Sequence, residues 1–320
     1  MSGKTPVRDM NDAAIEDAAG IIRGGGLVAF ATETVYGLGG DATNAEAVAR
    51  IFAAKGRPSF NPLISHVADI GHVRALVEMD TRAEKLAETY WPGPLTIVLN
   101  KRPDAGIAEL TTAGLTTAAI RIPARPRARR FLEACGVPVA APSANASGAM
   151  SPTLAAHVRA SLPGPDDGGP QLILDDGPCE VGLESTVVDL STETATLLRP
   201  GGISREDLER ALGPVAVAGT DDHTPKSPGM LSRHYAPKAR LRMNAQNAEP
   251  DEVFLAFGQT GAPDDLNLSP TGDLTEAAAN LFRMLHMLDD GGAAAIAVAP
   301  IPDTGLGLAI NDRLGRAVRS

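Results

Sequence analysis

Aromatic residues are scarce in this chain of 320 residues: they make up 3% of it, and Trp91 is the sole tryptophan. The core therefore has to close with Ala, Val, Leu and Ile at short range, which suits packed α/β layers. Cysteine is rarer still. Cys135 and Cys179 lack a CxxC spacing, which argues against a disulfide framework and fits free thiols in a reducing cytosol. No window approaches the ~18 uninterrupted apolar residues that a membrane helix needs. The opening stretch "MSGKTPVRDMNDAAIEDAAG" mixes polar and small residues where a secretory leader would be apolar. These absences predict a cytoplasmic protein without a membrane partner. Positive charge is in deficit, with 29 Lys and Arg against 39 Asp and Glu and a net charge of −10. Such a balance opposes nonspecific attraction to a polyanion, so any nucleic-acid contact has to be local. Glycine-rich phosphate loops are missing too: "GLGG" at 37–40 and "GLGLAIN" at 305–311 fail the required spacing and read as turns. The six histidines are scattered and unpaired with the cysteines, so no metal cage is predicted. If phosphate is bound, side chains have to bind it.

The length suffices for two domains. Asn11 or Asp12 can cap a helix with Ile15, Ala18, Ala19 and Ile22 on one face, stopped by glycines 24–26. Asn44 can cap a second helix that ends near Lys55. Strands are predicted at "LVAFA", "LISHV", 95–100, 116–122, 137–141, 171–175, 185–190 and 195–199, and helices at 81–90, 126–135, 153–160 and 204–212. Alternation early and a run of strands late imply an α/β layer with a mixed sheet. From Gly213 to Pro237 the sequence turns to Pro, Gly, Asp and Ser, a length that suits a linker or a functional loop. Beyond it, strand "VFLAF", a helix capped by Asp273, strand "AAIAVA" and a last helix near 306–318 suggest a small Rossmann-like unit. The expected division is 1–213, a connecting loop over 214–237, and 238–320.

Several clusters suit anion chemistry. "KGRPSFNPLISH" (55–66) places Lys55 and Arg57 two residues apart, a point charge and a planar fork, with Pro58 and Pro62 restricting the loop. The plain alternative is a solvated helix end. Asn61 before Pro62 is compatible with turn chemistry, and His66 with an ordinary half-buried strand histidine. "APSANASGAMSPT" (141–153) follows a strand with Ser143, Asn145, Ser147, Ser151 and Thr153. It fails the G-x-S-x-G test for a hydrolase and reads as a hydroxyl-rich anion cradle at a strand end. "RIPARPRARR" (121–130) carries five arginines. Its ordinary reading is an exposed helix face balanced by acids, and the rival is a local RNA-binding patch. Arg121 lies in a strand, where a buried cation needs an anion, and a ligand carboxylate or phosphate is the expected partner.

Taken together, "TETVYGLGGDA", "KGRP" with "NPLISH", "WPGPLTIVL", "RIP", "PSANASG" with "SPT", "GLESTVVDL", "LRPGGIS" and "SPGMLSRHYAP" resemble the threonylcarbamoyl-AMP synthase family, the YrdC-type enzymes in their long two-domain form. The resemblance spans roughly residues 12–237. It implies a YrdC-like α/β domain with a twisted mixed sheet and a concave, positively charged cleft, followed by a small Rossmann-like domain. It also implies a reaction in which L-threonine, bicarbonate and ATP, with Mg²⁺ on the phosphates, give L-threonylcarbamoyladenylate for modification of tRNA position 37. A separate tRNA threonylcarbamoyl transferase complex would receive the product, and contact of this chain with tRNA is expected to be weak.

By the same resemblance Thr34, His66, Arg121 and Ser185 match threonine-binding residues. Lys55, Arg57, Asn61, Thr117, Ser143, Asn145, Ser151 and Arg199 match the ATP and bicarbonate side. Lys55, Arg57, Ser143 and Asn145 form the K-x-R and S-x-N signature to which catalysis is ascribed. "SPGMLSRHYAP" matches a lid over the nucleotide, which adds Arg233, His234 and Tyr235. Ala31 stands where a proline is common, so no role is carried onto it. Two rivals remain at this point: an RNA-binding or ribosome-maturation module, and carbamoyl transfer from carbamoyl phosphate.

Overall fold

A computed structural model describes residues 3–219, 234–260 and 266–318. Arg233 and most of the expected lid lie outside the described residues. The N-terminal part runs β1 (Val7–Asp9), α1 (Asp12–Arg23), β2 (Val28–Phe30), β3 (Gly37–Asp41), α2 (Ala45–Lys55), β4 (Ile64–His66), α3 (Ile70–Leu76), α4 (Thr81–Tyr90), β5 (Leu95–Asn100) and β6 (Thr117–Arg121). It continues through α5 (Pro126–Cys135), β7 (Val139–Ala140), α6 (Ala155–Ser161), β8 (Leu172–Asp175), β9 (Thr186–Asp189), β10 (Thr196–Arg199), α7 (Arg205–Leu212) and β11 (Ala216–Val217). The C-terminal part is β12 (Arg240–Arg242), β13 (Glu252–Leu255), α8 (Leu274–Asp290), β14 (Ala295–Val298) and α9 (Gly307–Val318).

The caps act as read from the sequence. Asn11 accepts from the Ala14 amide at 3.0 Å and Asn44 from Glu46 at 2.9 Å, satisfying first-turn N–H groups that have no partner within the helix. Gly56, in the left-handed region, ends α2 and turns the chain into the Arg57 loop. Two readings need correction. "GLGG" is not a turn but strand β3, where a Cβ on Gly39 would lie 2.9 Å from Val139 and 3.1 Å from Phe30, so close packing within the sheet selects glycine. The stretch read as connector opens with a short edge strand, β11, which pairs in parallel with β10.

The larger sheet has eleven strands in the order β1-β8-β2-β3-β7-β4-β6-β5-β9-β10-β11, and it is mixed: β4 and β6 are parallel, β6 and β5 antiparallel, β5 and β9 parallel. Around β2 both faces are covered, by α1 and α5 on one side and by α2 and α6 on the other. The second half differs. Ile97, Leu99, Ala118 and Ile120 pack with residues of α3, α4 and α7, such as Val73, Leu86 and Leu208. Side chains alternate along a strand, so Ile64 and His66, Thr96 and Val98, and Thr117, Ala119 and Arg121 point to the opposite face. There Ile64, Val98, Ala119, Val187 and Leu198 form an apolar floor among the strands.

The C-terminal sheet is parallel, in the order β12-β14-β13. Its core includes Leu281, Phe282 and Leu285 of α8, and Met150, Leu183 and Tyr235 join that same cluster. The C-terminal core therefore takes in loop residues that flank the larger sheet. Among the described residues no helix is long and apolar enough to cross a membrane.

Candidate functional site

Above this apolar floor lies a cavity lined by Thr34, Arg57, His66, Arg121, Ser143, Glu184, Ser185, Arg199, His234 and Tyr235 among others. Strand register explains the centre: β4 and β6 run parallel with His66 opposite Arg121, which brings both to the strand ends side by side. Arg199 closes β10 and Ser185 immediately precedes β9. Gly37 bridges to Ser143, which brings the 141–153 loop against β3.

Arg121 is buried, and its anionic partner is not a ligand but Glu33, at 2.6 Å. It also donates to Thr34 Oγ1 at 2.8 Å and to the Gly93 carbonyl at 3.3 Å. A guanidinium this far from water needs full pairing, and the neighbour of Thr34 in the same motif supplies it. Arg199 donates to the Ser185 carbonyl and to Ser185 Oγ at 3.1 Å, and Ser185 Oγ in turn meets Thr96 Oγ1 at 2.8 Å. Arg57 folds over its own loop, donating to the Asn61 and Pro62 carbonyls. Burial, then Arg199, lowers it to about 10 despite the opposing pull of Tyr235. His66 is held at about 3 by burial and next by Arg121, and its Nδ1 is buried without a partner. The imidazole is therefore neutral at pH 7.

Lys55 stands behind the wall. Its Nζ donates to the Ser143 and Asn145 carbonyls, and burial followed by Arg57 pushes its pKa well below the usual lysine value. Asn145 likewise turns its amide to the Ala146 and Ala149 carbonyls, leaving its Oδ1 buried and unpaired. Of the signature residues, Arg57 and Ser143 line the cavity while Lys55 and Asn145 build the loop that shapes it. Asn61 is buried in that same neighbourhood with its Oδ1 unpaired. Ser151 donates to Glu184 at the edge of the cavity. Thr117 is the one expected residue set apart: it shares a face of β6 with Arg121 but lies four residues, about 13 Å, along the strand. His234 and Tyr235 pack ring against ring with centroids 4.0 Å apart, inside the cavity, whose free volume is only about 40 Å³.

The sequence reading missed Glu33 and Glu184. Both sit in motifs it had quoted, beside Thr34 and Ser185, but a site built for anions gave no reason to look for acids. The signal was the demand of Arg121 for a carboxylate. Most of the arginine patch is balanced by acids: Arg125 pairs with Glu180 at 2.7 Å, Arg127 with Asp176 at 3.6 Å and Arg130 with Glu16 at 3.5 Å. The plain reading of an exposed helix face holds for Arg127 and Arg130 only, since Arg125 is buried ahead of the helix and Arg129 has its Nε buried without a partner.

Comparison with known proteins gives a consistent result. The Sua5/YciO/YrdC family, described as "telomere recombination", matches residues 20–201, and the threonylcarbamoyl-AMP synthase C-terminal domain matches residues 203–318. A threonylcarbamoyl-AMP synthase of Bacillus subtilis is similar at 41% identity over 328 residues, covering 96% of this chain and 93% of that protein. Another, from Pyrococcus abyssi, is 41% identical over 323 residues, covering 95% and 93%. The crystal structure of P. abyssi Sua5 complexed with L-threonine superposes with a TM-score of 0.86 at 37% identity, covering 98% of this chain and 97% of that one.

Proposed function

The chain belongs to the Sua5/YciO/YrdC family in its threonylcarbamoyl-AMP synthase form, and from that membership we infer that it makes L-threonylcarbamoyladenylate from L-threonine, bicarbonate and ATP, releasing pyrophosphate and water. It is thus a nucleotidyltransferase of tRNA modification, working in the cytoplasm and passing its product to a separate transferase complex. The observation that carries the reading is the convergence of Arg57, Arg121 and Arg199 with a neutral His66 on one buried cavity beside Thr34 and Ser185. Residues 1–213 form the catalytic domain, 214–237 the connector and lid, and 238–320 the C-terminal domain.

ATP, bicarbonate and the threonine carboxylate bring about six negative charges together, and fixed cations in a desolvated site offset their repulsion. The uncharged amine of threonine, held near Arg121, Thr34 and Ser185, adds to the carbon of CO₂ derived from bicarbonate and yields a carbamate, its lost proton combining with the hydroxide shed by bicarbonate to leave as water. A carbamate oxygen then attacks the α-phosphorus in line, forming the O–P bond as the bond to pyrophosphate breaks. His66, held at about 3, is a poor proton acceptor at pH 7. Its role is to orient the substrate through the unpaired Nδ1. Among the described residues no group of three or more His, Cys, Asp or Glu gathers around a metal position. Mg²⁺ is expected here only as the counter-ion carried on the ATP phosphates.

With about 40 Å³ free, against the ~300 Å³ or more typical of small-molecule pockets, the cleft has to release His234 and Tyr235 to admit ATP. Pyrophosphate release measured with and without L-threonine and with and without bicarbonate tests the function. Turnover that needs both is expected. ATP turnover indifferent to threonine, or steeply salt-dependent RNA binding with no turnover, would overturn it.

A further inference from the structure

Arg313 belongs to α9 of the C-terminal domain, yet it is the largest fully buried side chain of the described residues. Its Nε donates to Glu184 Oε2 at 2.8 Å and its Nη1 to the Pro200 carbonyl at 2.8 Å, while its guanidinium carbon lies 5.1 Å from the centroid of the Tyr235 ring. One side chain thus touches the segment before Ser185, the segment after Arg199, and Tyr235. Glu184 lines the cavity, and its other oxygen accepts from Ser151. We propose that Arg313 is a positioning residue by which the C-terminal domain engages the Glu184 carboxylate, and with it Ser151, so that it does not occupy the cations that face the triphosphate.

The proposal rests on the synthase reading above and assigns the C-terminal domain a part in it. Docking alone does not call for an arginine, because taking each ion out of water costs several kcal/mol and an apolar residue of similar volume docks as well or better. What the charge adds is control of Glu184. Burial by itself would raise the Glu184 carboxyl, but Arg313 and then Arg199 outweigh it and hold it at about 2, so it is ionised. Glu184 also acts electrostatically on Lys55 and Arg199. Without Arg313 its remaining cationic partners are those of the nucleotide site, and a resident carboxylate there competes with phosphate.

The test uses the full chain and a double-mutant cycle of Arg313→Met and Glu184→Gln. Threonine-dependent pyrophosphate release gives kcat and the KM for ATP, calorimetry gives the Kd for a non-hydrolysable ATP analogue, and thermal melts check folding. Arg313→Met is expected to raise both KM and Kd about 10-fold or more while kcat changes less than about 3-fold, and adding Glu184→Gln is expected to bring both back within about 3-fold of the parent. Wild-type affinity in Arg313→Met, or a double variant no better than the single one, would overturn the proposal, and so would a double variant whose melting temperature recovers while its ATP affinity does not, since relief of a lone buried charge restores stability for any structural pair. Should Arg313→Met fail to fold, the double variant, which removes both members of the Arg313–Glu184 pair and leaves Asp312 its bond to Arg316, decides: ATP affinity near the parent's supports the proposal and lost affinity overturns it. A parent chain without threonine-dependent turnover defeats the synthase reading alone, because the order of analogue affinities across the cycle still tests the role of Arg313.

Discussion

Lys55 and Arg57 are two residues apart and differ in what surrounds them. The ammonium of Lys55 is spent on two backbone carbonyls of the 143–145 loop, whereas Arg57 reaches the cavity wall. Arg57→Ala is expected to lower kcat/KM for pyrophosphate release about 10²-fold, as removal of one preorganised charge-stabilising group commonly does. Lys55→Met is expected to lower activity and also cost about 1–3 kcal/mol of stability, because two buried carbonyls lose their donor. Denaturant melts beside steady-state kinetics separate the two. If Lys55→Met loses activity with unchanged stability, its ammonium acts on substrate directly. Glu33 and Arg121 illustrate the same economy of burial, a cation and an anion 88 positions apart in sequence satisfying each other at 2.6 Å.

Among the elements, one close approach lies at the join between the domains. Gly182 has a φ of +70°, and a Cβ there would lie 2.5 Å from Ala279 Cα in α8. Gly136, with a φ of +67° and nothing within 4 Å, carries the backbone penalty without the clash. Gly136→Ala is expected to cost about 1–2 kcal/mol, and Gly182→Ala distinctly more, with the KM for ATP rising because residues 183–185 follow it directly. Equal melting shifts for the two variants would refute the close-contact account. The helices were legible in sequence because their ends carry chemistry: Asn11, Asn44 and Asp273 each cap as read. Three short edge strands were not, although β2, β4 and β7 are equally short and were read from their apolar runs. β1, β11 and β12 lie at sheet edges with mostly exposed side chains, so burial does not pattern them, and α3, with seven residues, spans too few turns to show a helical stripe.

For the molecule as a whole, buried titratable groups give stability a sign in pH. His66, His157 and His234 are each held at about 3, with burial the leading cause, and His157 stacks on His286 across the two domains at 3.8 Å between ring centroids. The unfolded chain takes up these protons below the ordinary value of 6.5, while the folded chain does not until about 3. Stability is therefore full above pH ~6.5 and declines as pH falls, by up to ~1.4 kcal/mol per pH unit for each proton of difference. Glu184, held at about 2 against an ordinary 4.5, adds a loss of the same sign below pH ~4.5. Urea melts at pH 7.5, 6.0 and 5.0 are expected to show steadily falling midpoints, less steeply in His157→Phe. Constant stability across that range would contradict neutral burial of the histidines.

Local pattern alone decided much of this protein. The helix limits, most strands, the mixed α/β class and the ordered motifs are all written within short windows, where caps, glycines and periodicity act between near neighbours. Tertiary structure decided the rest: that Glu33 answers Arg121, that Lys55 faces carbonyls of the 143–145 loop, and that Arg313 crosses from the second domain to Glu184. These pairs are 88 to 129 positions apart. Which strands lie side by side brings them together, and strand order depends on the packing of whole faces, which no local window contains.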